Sequence, residues 1–111
     1  MIEPYEIIVT SDANDDLAAL RDYIAVTLAA RETARSYIQA IRKEIASLAV
    51  MPERVKLVDT EPWRTRGFRR VLVRNFFVYY RIDETEKRVY ILNVIYARRN
   101  QLNALRQRDI D

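Results

Sequence analysis

Two stretches in the first half of the chain carry apolar residues at steps of three and four. These stripes are Ala13, Leu17, Leu20, Ile24 and Leu28, followed by Ala34, Ile38, Ile41, Ile45 and Leu48. Such steps place side chains on one helical face, so we predict helices over 12–29 and 31–50. Ser11 is the expected N-cap of the first helix, and Pro52 ends the second. Because the link between them is very short, the helices should form an antiparallel hairpin.

The remaining apolar segments are short and rich in β-branched and aromatic residues, which favours strands over 5–10, 68–74, 76–83 and 88–97. Asn75 is expected in a tight turn and residues 83–87 in a hairpin loop. These spacings are too short for parallel crossovers, so the last three strands form an antiparallel meander.

The predicted order is therefore β-α-α-β-β-β, an α+β fold in one domain over residues 1–111. The helix hairpin covers one sheet face, and the first strand joins an edge of the meander. The second face stays partly open, and residues 100–108 form a short last helix.

Composition removes several classes of function. The chain has no cysteine and no histidine, which excludes disulfides, thiolate chemistry, serine hydrolase triads and histidine-ligated metal sites. We expect no metal and no cofactor, since the acidic group Asp12, Asp15 and Asp16 suits a helix N-terminus and lacks the loop of a calcium site. The chain has no apolar run near 20 residues and no signal peptide is visible, so we expect a cytoplasmic protein without a membrane partner.

The charges are divided unevenly along the chain. Residues 1–63 hold seven basic and eleven acidic side chains, whereas residues 64–108 hold twelve basic and three acidic ones. Such asymmetry suggests an acidic or polyanionic partner for the second part, although an arginine-rich soluble surface would give the same counts.

Arginine and tyrosine are the residues that could act on such a partner. Arginine binds phosphate through two N–H groups and stacks on bases, and tyrosine adds a ring and a phenol. The candidates on or directly after the predicted strands are Arg69, Arg70, Arg74, Tyr96, Arg98 and Arg99. The other aromatic and basic residues are expected to pack or to face solvent: Tyr79, Tyr80 and Tyr90 in the sheet, Trp63 as a cap on the core, and Arg81 and Arg88 in water.

The segments 68–83 and 89–100 resemble the C-terminal half of RelE/ParE toxins, often labelled plasmid stabilisation proteins. The shared pattern is a basic strand, an aromatic strand ending in Tyr80-Arg81-Ile82-Asp83, and a strand closing with Arg98-Arg99. Residues 7–17 are similar to the family's opening strand and helix. The resemblance implies the toxin of a type II toxin–antitoxin pair, which inhibits growth when free of its antitoxin and forms a hetero-oligomer with it.

The family has two activities, and the resemblance leaves both open. ParE-like members poison DNA gyrase, whereas RelE-like members cut mRNA on the ribosome without a metal. Phe76 and Phe77 stand where RelE-like enzymes place an arginine, and the lysines common in their site are absent. We therefore favour a gyrase poison that uses all six candidates to bind its target. In the alternative, an mRNA endonuclease, Arg70, Arg74 and Arg98 would be the catalytic residues.

Overall fold

The computed structural model describes residues 3–101 and 103–105. Strand β1 (Glu6–Val9) leads into helix α1 (Ser11–Asp22), which continues as a π-helical turn (Tyr23–Thr27). Helix α2 (Arg31–Ser47) and a 3₁₀ turn (Pro52–Arg54) follow, and then strands β2 (Arg69–Val73), β3 (Phe76–Asp83) and β4 (Arg88–Tyr96). The predicted α+β order is confirmed, and Gln101 and residues 103–105 are helical. The rest of the expected last helix lies outside the described residues.

The four strands form one sheet in the order β1-β4-β3-β2. Both β2 with β3 and β3 with β4 pair antiparallel, which confirms the meander. β1 lies at the edge beside β4, as predicted, but it pairs parallel to β4, so the sheet is mixed. β2 forms the opposite edge.

Helix α1 begins at Ser11, one residue earlier than predicted. Thr10, not Ser11, is the N-cap, and its Oγ1 accepts a hydrogen bond from the Ala13 N–H at 3.3 Å. The same hydroxyl donates to the Ile91 carbonyl at 2.7 Å. This second bond explains the shift, because a residue directly after β1 can reach the neighbouring strand β4.

The π-helical turn changes which side chains are buried at the end of the first helix. Ile24 is 6% exposed, but Leu28 is 55% exposed, contrary to its place in the predicted stripe. The Leu28 N–H bonds to the Tyr23 carbonyl five residues back, at 3.1 Å. The wider turn rotates Leu28 away from the face that ordinary helical steps would give it.

Both faces of the sheet are packed. The helix hairpin buries one face through residues that include Leu17, Ile41, Val78 and Tyr80. The second face carries its own cluster of Trp63, Tyr79, Ile95, Ala104 and Leu105. The expectation of a partly open second face was therefore incomplete, since the long connection before β2 and the C-terminal helical residues cover much of it.

Residues 55–58, which we call the strap, run beside the outer edge of β2. Leu57 forms an antiparallel bridge with Arg69, and the Val58 N–H donates to the Phe68 carbonyl at 2.9 Å. The strap thereby pairs with the beginning of β2 only.

Candidate partner-binding site

The turn between β2 and β3 consists of two residues in left-handed conformation, Arg74 (φ 49°) and Asn75 (φ 69°). Two positive φ values are typical of the tight hairpins that match the twist of paired strands, and asparagine tolerates them well. The Ala97 N–H donates to the Asn75 carbonyl at 2.8 Å. This bond brings the end of β4 against the turn, so Arg74 and the segment after β4 share one end of the sheet.

The segment after β4 is a turn that presents three of the predicted residues. Tyr96 is 43% exposed at the end of β4, and both Arg98 and Arg99 are exposed. The Gln101 amide donates to the carbonyls of Tyr96 at 2.7 Å and Arg99 at 2.8 Å. Gln101 therefore fixes the backbone from which these side chains project.

A groove of about 600 Å³ lies between this end of the sheet and the helix hairpin. Its lining includes several aliphatic residues such as Leu28, the acidic Asp16, the basic Arg99 and four aromatic residues, which are Tyr23, Tyr37, Phe76 and Tyr96. Tyr23 and Leu28 are each 55% exposed. An exposed groove with aromatic walls and cationic groups at its rim is suited to a partner that carries apolar and acidic side chains.

Arg74 lies beside an aromatic ring of the helix hairpin. The Arg74 guanidinium carbon lies 5.6 Å from the Tyr37 ring centroid. Within the described part of the chain, neither Arg74 nor Arg98 forms an ion pair with a carboxylate. Their charge is therefore available to an acidic partner. We call the set Arg74, Tyr96, Arg98 and Arg99 the cationic end.

Arg70 lies on the second face of the sheet, away from the cationic end. Its guanidinium carbon is 4.0 Å from the centroid of the Phe77 ring, and Nη1 donates to the Tyr79 hydroxyl at 3.3 Å. The Tyr79 hydroxyl in turn donates to Gln101 at 2.9 Å. These groups border a cavity of about 400 Å³ that Trp63 and Leu105 also line.

Arg69 points to the opposite face and contacts the 3₁₀ turn and the first residue of the strap. Its Nη1 donates to the carbonyl oxygen of Val55 and, at 3.5 Å, to that of Glu53. Arg69 is partly buried. The structure thus gathers four of the six predicted target-binding residues at one end and places Arg69 and Arg70 elsewhere.

Three residues that shape this region were not found by sequence reasoning. Gln101 lies at the start of the predicted last helix, where its residue type gave no sign of this role, and Tyr23 and Tyr37 looked like ordinary helix positions. The presence of tyrosines in both helices was the feature of the sequence that could have indicated an aromatic groove. Among residues 3–101 and 103–105, no group of acidic side chains has the arrangement of a metal site.

Comparison with known proteins places this geometry in a family. No curated protein matches the chain at the level of sequence. Among solved structures, the chromosomal ParDE toxin–antitoxin system of P. aeruginosa has a chain of TM-score 0.69 and 21% identity, covering 86% of this chain and 98% of that one.

Two further structures share the fold. The RelBE2 toxin–antitoxin complex of Mycobacterium tuberculosis has TM-score 0.63 and 24% identity, covering 86% of this chain and 94% of that one. A mutant of E. coli toxin RelE in the free state has TM-score 0.63 and 12% identity, covering 97% of this chain and 99% of that one.

The family model for the ParE toxin of type II toxin–antitoxin systems, parDE, matches residues 7–101. The matched range runs from β1 through Gln101 and includes the groove and the whole cationic end. The chain therefore belongs to the ParE toxin family of type II toxin–antitoxin systems.

Proposed function

We propose that this toxin inhibits growth by binding DNA gyrase and that it is not a nuclease. The observation that carries the proposal is the cationic end beside the aromatic groove, a surface built for binding. Arginine stays protonated in proteins and is a poor general base, so Arg74, Arg98 and Arg99 are suited to hold an acidic surface. Tyr96 adds an exposed ring at the same place. In this proposal Arg69 and Arg70 stabilise the fold and do not contact the target.

The surroundings of Arg70 also favour binding over catalysis. A general acid or base must reach its substrate by a hydrogen bond. The Tyr79 hydroxyl, which is the phenol nearest to Arg70, already accepts from Arg70 and donates to Gln101. Tyr79 is only 2% exposed, and Trp63 beside it is equally buried.

We further propose that a cognate antitoxin binds this chain in a hetero-oligomer and neutralises it. The ParDE and RelBE2 structures that share its fold are described as a toxin–antitoxin system and a toxin–antitoxin complex. An antitoxin segment with acidic and apolar side chains would complement the cationic end and the groove.

No helix within residues 3–101 and 103–105 has the length and hydropathy to cross a bilayer.

A second candidate function is cleavage of mRNA on the ribosome. It is favoured by the cavity at Arg70, which Lys56 and the Tyr79 side chain also line. In that case Arg70 would contact the phosphate, while Arg74 and Arg98 would stabilise its developing charge from the end of the sheet. The distance along β2 between Arg70 and the cationic end makes a shared site for these three residues less suitable.

Two assays with the purified toxin separate the candidates. We expect loss of supercoiling by gyrase and intact mRNA in a translating extract. Cleaved mRNA with normal supercoiling would contradict the proposal and support the nuclease. Normal results in both assays would contradict both gyrase inhibition and mRNA cleavage. The chain would then be an interaction module without an inhibitory activity of its own.

A further inference from the structure

We propose that the side chains of Arg70, Tyr79 and Gln101 position the cationic end for its target, although none of the three touches that target. We call these three residues the relay. The inference rests on the proposed function, since it needs a target that the cationic end binds. It assigns a role in inhibition to side chains that lie on the second face of the sheet and behind the turn after β4.

The arginine sets the direction of each hydrogen bond in the relay. A guanidinium group only donates, so the Tyr79 hydroxyl oxygen accepts from Arg70 Nη1, at 3.3 Å. The proton of that hydroxyl is donated to Gln101 Oε1 at 2.9 Å. With its oxygen engaged in this way, the Gln101 amide presents its nitrogen, a double donor, on its other side. The relay therefore determines which atom of the amide meets the turn after β4.

The Gln101 nitrogen bonds backbone carbonyls on both sides of Arg98. Nε2 donates to the carbonyl of Tyr96 at 2.7 Å and to that of Arg99 at 2.8 Å. A flipped amide would set its oxygen against these carbonyl oxygens, and both would lose this donor. A side chain that projects from a fixed backbone loses less conformational freedom on binding, so the relay should strengthen the interaction with the target.

Burial and an aromatic contact keep the relay in one arrangement. Tyr79 is 2% exposed and packs in the cluster that contains Trp63. The Phe77 ring centroid lies 4.0 Å from the Arg70 guanidinium carbon, which holds the arginine beside the hydroxyl. Linked hydrogen bonds away from bulk water polarise and strengthen one another. Loss of one member should therefore weaken the whole series.

A purely structural role is the alternative, because a buried phenol needs a hydrogen-bond partner wherever it lies. Tyr80 supplies the comparison on the same strand. It is also buried, but it belongs to the cluster under the helices, and its hydroxyl donates to the Pro52 carbonyl. Tyr79→Phe and Tyr80→Phe each remove one buried hydroxyl, and only the first breaks the connection to the cationic end.

Inhibition of gyrase by these two variants tests the relay. We expect Tyr79→Phe to raise the inhibitory concentration about fivefold, and Tyr80→Phe to stay within about twofold of wild type, at a temperature where both are folded. In the Arg98→Ala background, Tyr79→Phe should add less than about a twofold loss, since the relay acts through the placement of Arg98. Equal losses in the two phenylalanine variants, or the same factor with and without Arg98, would overturn the proposal.

A measurement on the free toxin separates this inference from the proposed function. The side-chain amide protons of Gln101 should exchange with solvent about tenfold or more faster in Tyr79→Phe than in wild type. Equal exchange rates would overturn the relay even if the wild type inhibits gyrase. If the wild type does not inhibit gyrase, the proposed function fails. Faster exchange in Tyr79→Phe would then still support the relay as the contact that holds the cationic end in place.

Discussion

Arg98 and Arg69 differ in what their guanidinium groups contact. Arg69 donates to the backbone carbonyls of Glu53 and of Val55, the first residue of the strap, so its removal would leave acceptors without a donor. Arg98 is exposed on a turn that Gln101 holds. The loss of its side chain should therefore affect a partner far more than the fold.

Tyr80 gives a prediction at the level of one hydroxyl group. It is fully buried and donates to the Pro52 carbonyl at 2.8 Å. Tyr80→Phe should lower the free energy of unfolding at pH 7 by about 1 kcal/mol, because the carbonyl loses its donor. Urea unfolding measures this difference.

The same residue should make stability depend on alkaline pH. Burial raises the pKa of Tyr80 above its ordinary value of 10.0. A raised pKa in the folded state stabilises the protein below the unfolded pKa, and this contribution is lost as the pH rises through the folded pKa. The advantage of wild type over Tyr80→Phe should shrink between pH 7 and about pH 11. A constant difference would show that the hydroxyl is equally accessible in both states.

At the scale of elements, α1 is attached to β4 at an irregularity of the sheet. The register of β3 and β4 shifts between Tyr79 and Tyr80, leaving Leu92 as an extra residue. The Asp16 carboxylate accepts the Val94 N–H at 2.8 Å, and Thr10 donates to the Ile91 carbonyl. The last β4 residue that pairs with β1 is Ile91, so the Asp16 side chain satisfies an N–H of β4 that lies beyond the end of β1.

Removal of the Asp16 carboxylate should weaken the attachment of α1 to β4. We expect Asp16→Ala to lower the free energy of unfolding by about 1.5–3 kcal/mol, the range for hydrogen bonds to charged groups. Asp15→Ala is the matched control, because Asp15 is exposed on the same helix, and it should cost less than about 0.5 kcal/mol. Equal losses in thermal or urea unfolding would mean that Asp16 acts only through its charge near the helix N-terminus.

The end of the π-helical turn gives a stabilising prediction. Ala29 has a φ of 52°, and the Ala30 N–H bonds to the Ile24 carbonyl at 3.1 Å. This bond reaches six positions back, one more than in a Schellman motif, while the Ala29 N–H bonds to the Val26 carbonyl at 3.3 Å as in that motif. The left-handed position of Ala29 is one that glycine favours. Ala29→Gly should raise the free energy of unfolding by about 0.5–1 kcal/mol, since relief of strain exceeds the extra chain entropy. A lower melting temperature would contradict this.

The elements were largely predictable because helices and strands impose periods on the sequence. The steps of three and four identified α1 and α2, and the turn at Asn75 followed from residue type. The parallel pairing of β1 and the π-helical turn at Tyr23 were not predictable. Both depend on contacts between distant parts of the chain, and the π turn breaks the period on which the prediction relied.

At the scale of the whole molecule, the proposed binding surface lies where three parts of the chain meet. The helix hairpin supplies Tyr23 and Tyr37, the β2–β3 turn supplies Arg74, and the segment after β4 supplies Tyr96 and Arg98. Leu20 and Ile41 lie beneath this assembly in the core. A groove between packed elements holds its shape only while the core is intact, so cavity mutations should abolish toxicity through instability.

Which arginines share a surface could be predicted only in part. Adjacent residues on a strand face opposite ways, so Arg69 and Arg70 could not both reach the target side by side. Arg74 and Arg98 are 24 positions apart, and the pairing of Phe76 with Tyr96 and the bond from Ala97 to Asn75 bring their segments together. The arginine-rich composition therefore indicated an acidic partner, whereas the location of the site required the fold.

Inhibition of gyrase by Arg98→Ala and by Arg35→Ala tests the account most directly. Both arginines are exposed, but Arg35 lies on α2 outside the groove lining and the cationic end. We predict that Arg98→Ala raises the inhibitory concentration about tenfold or more, while Arg35→Ala and the free energies of unfolding stay near wild type. Full inhibition by Arg98→Ala, or equal losses in both variants, would contradict the claim that the cationic end binds the target.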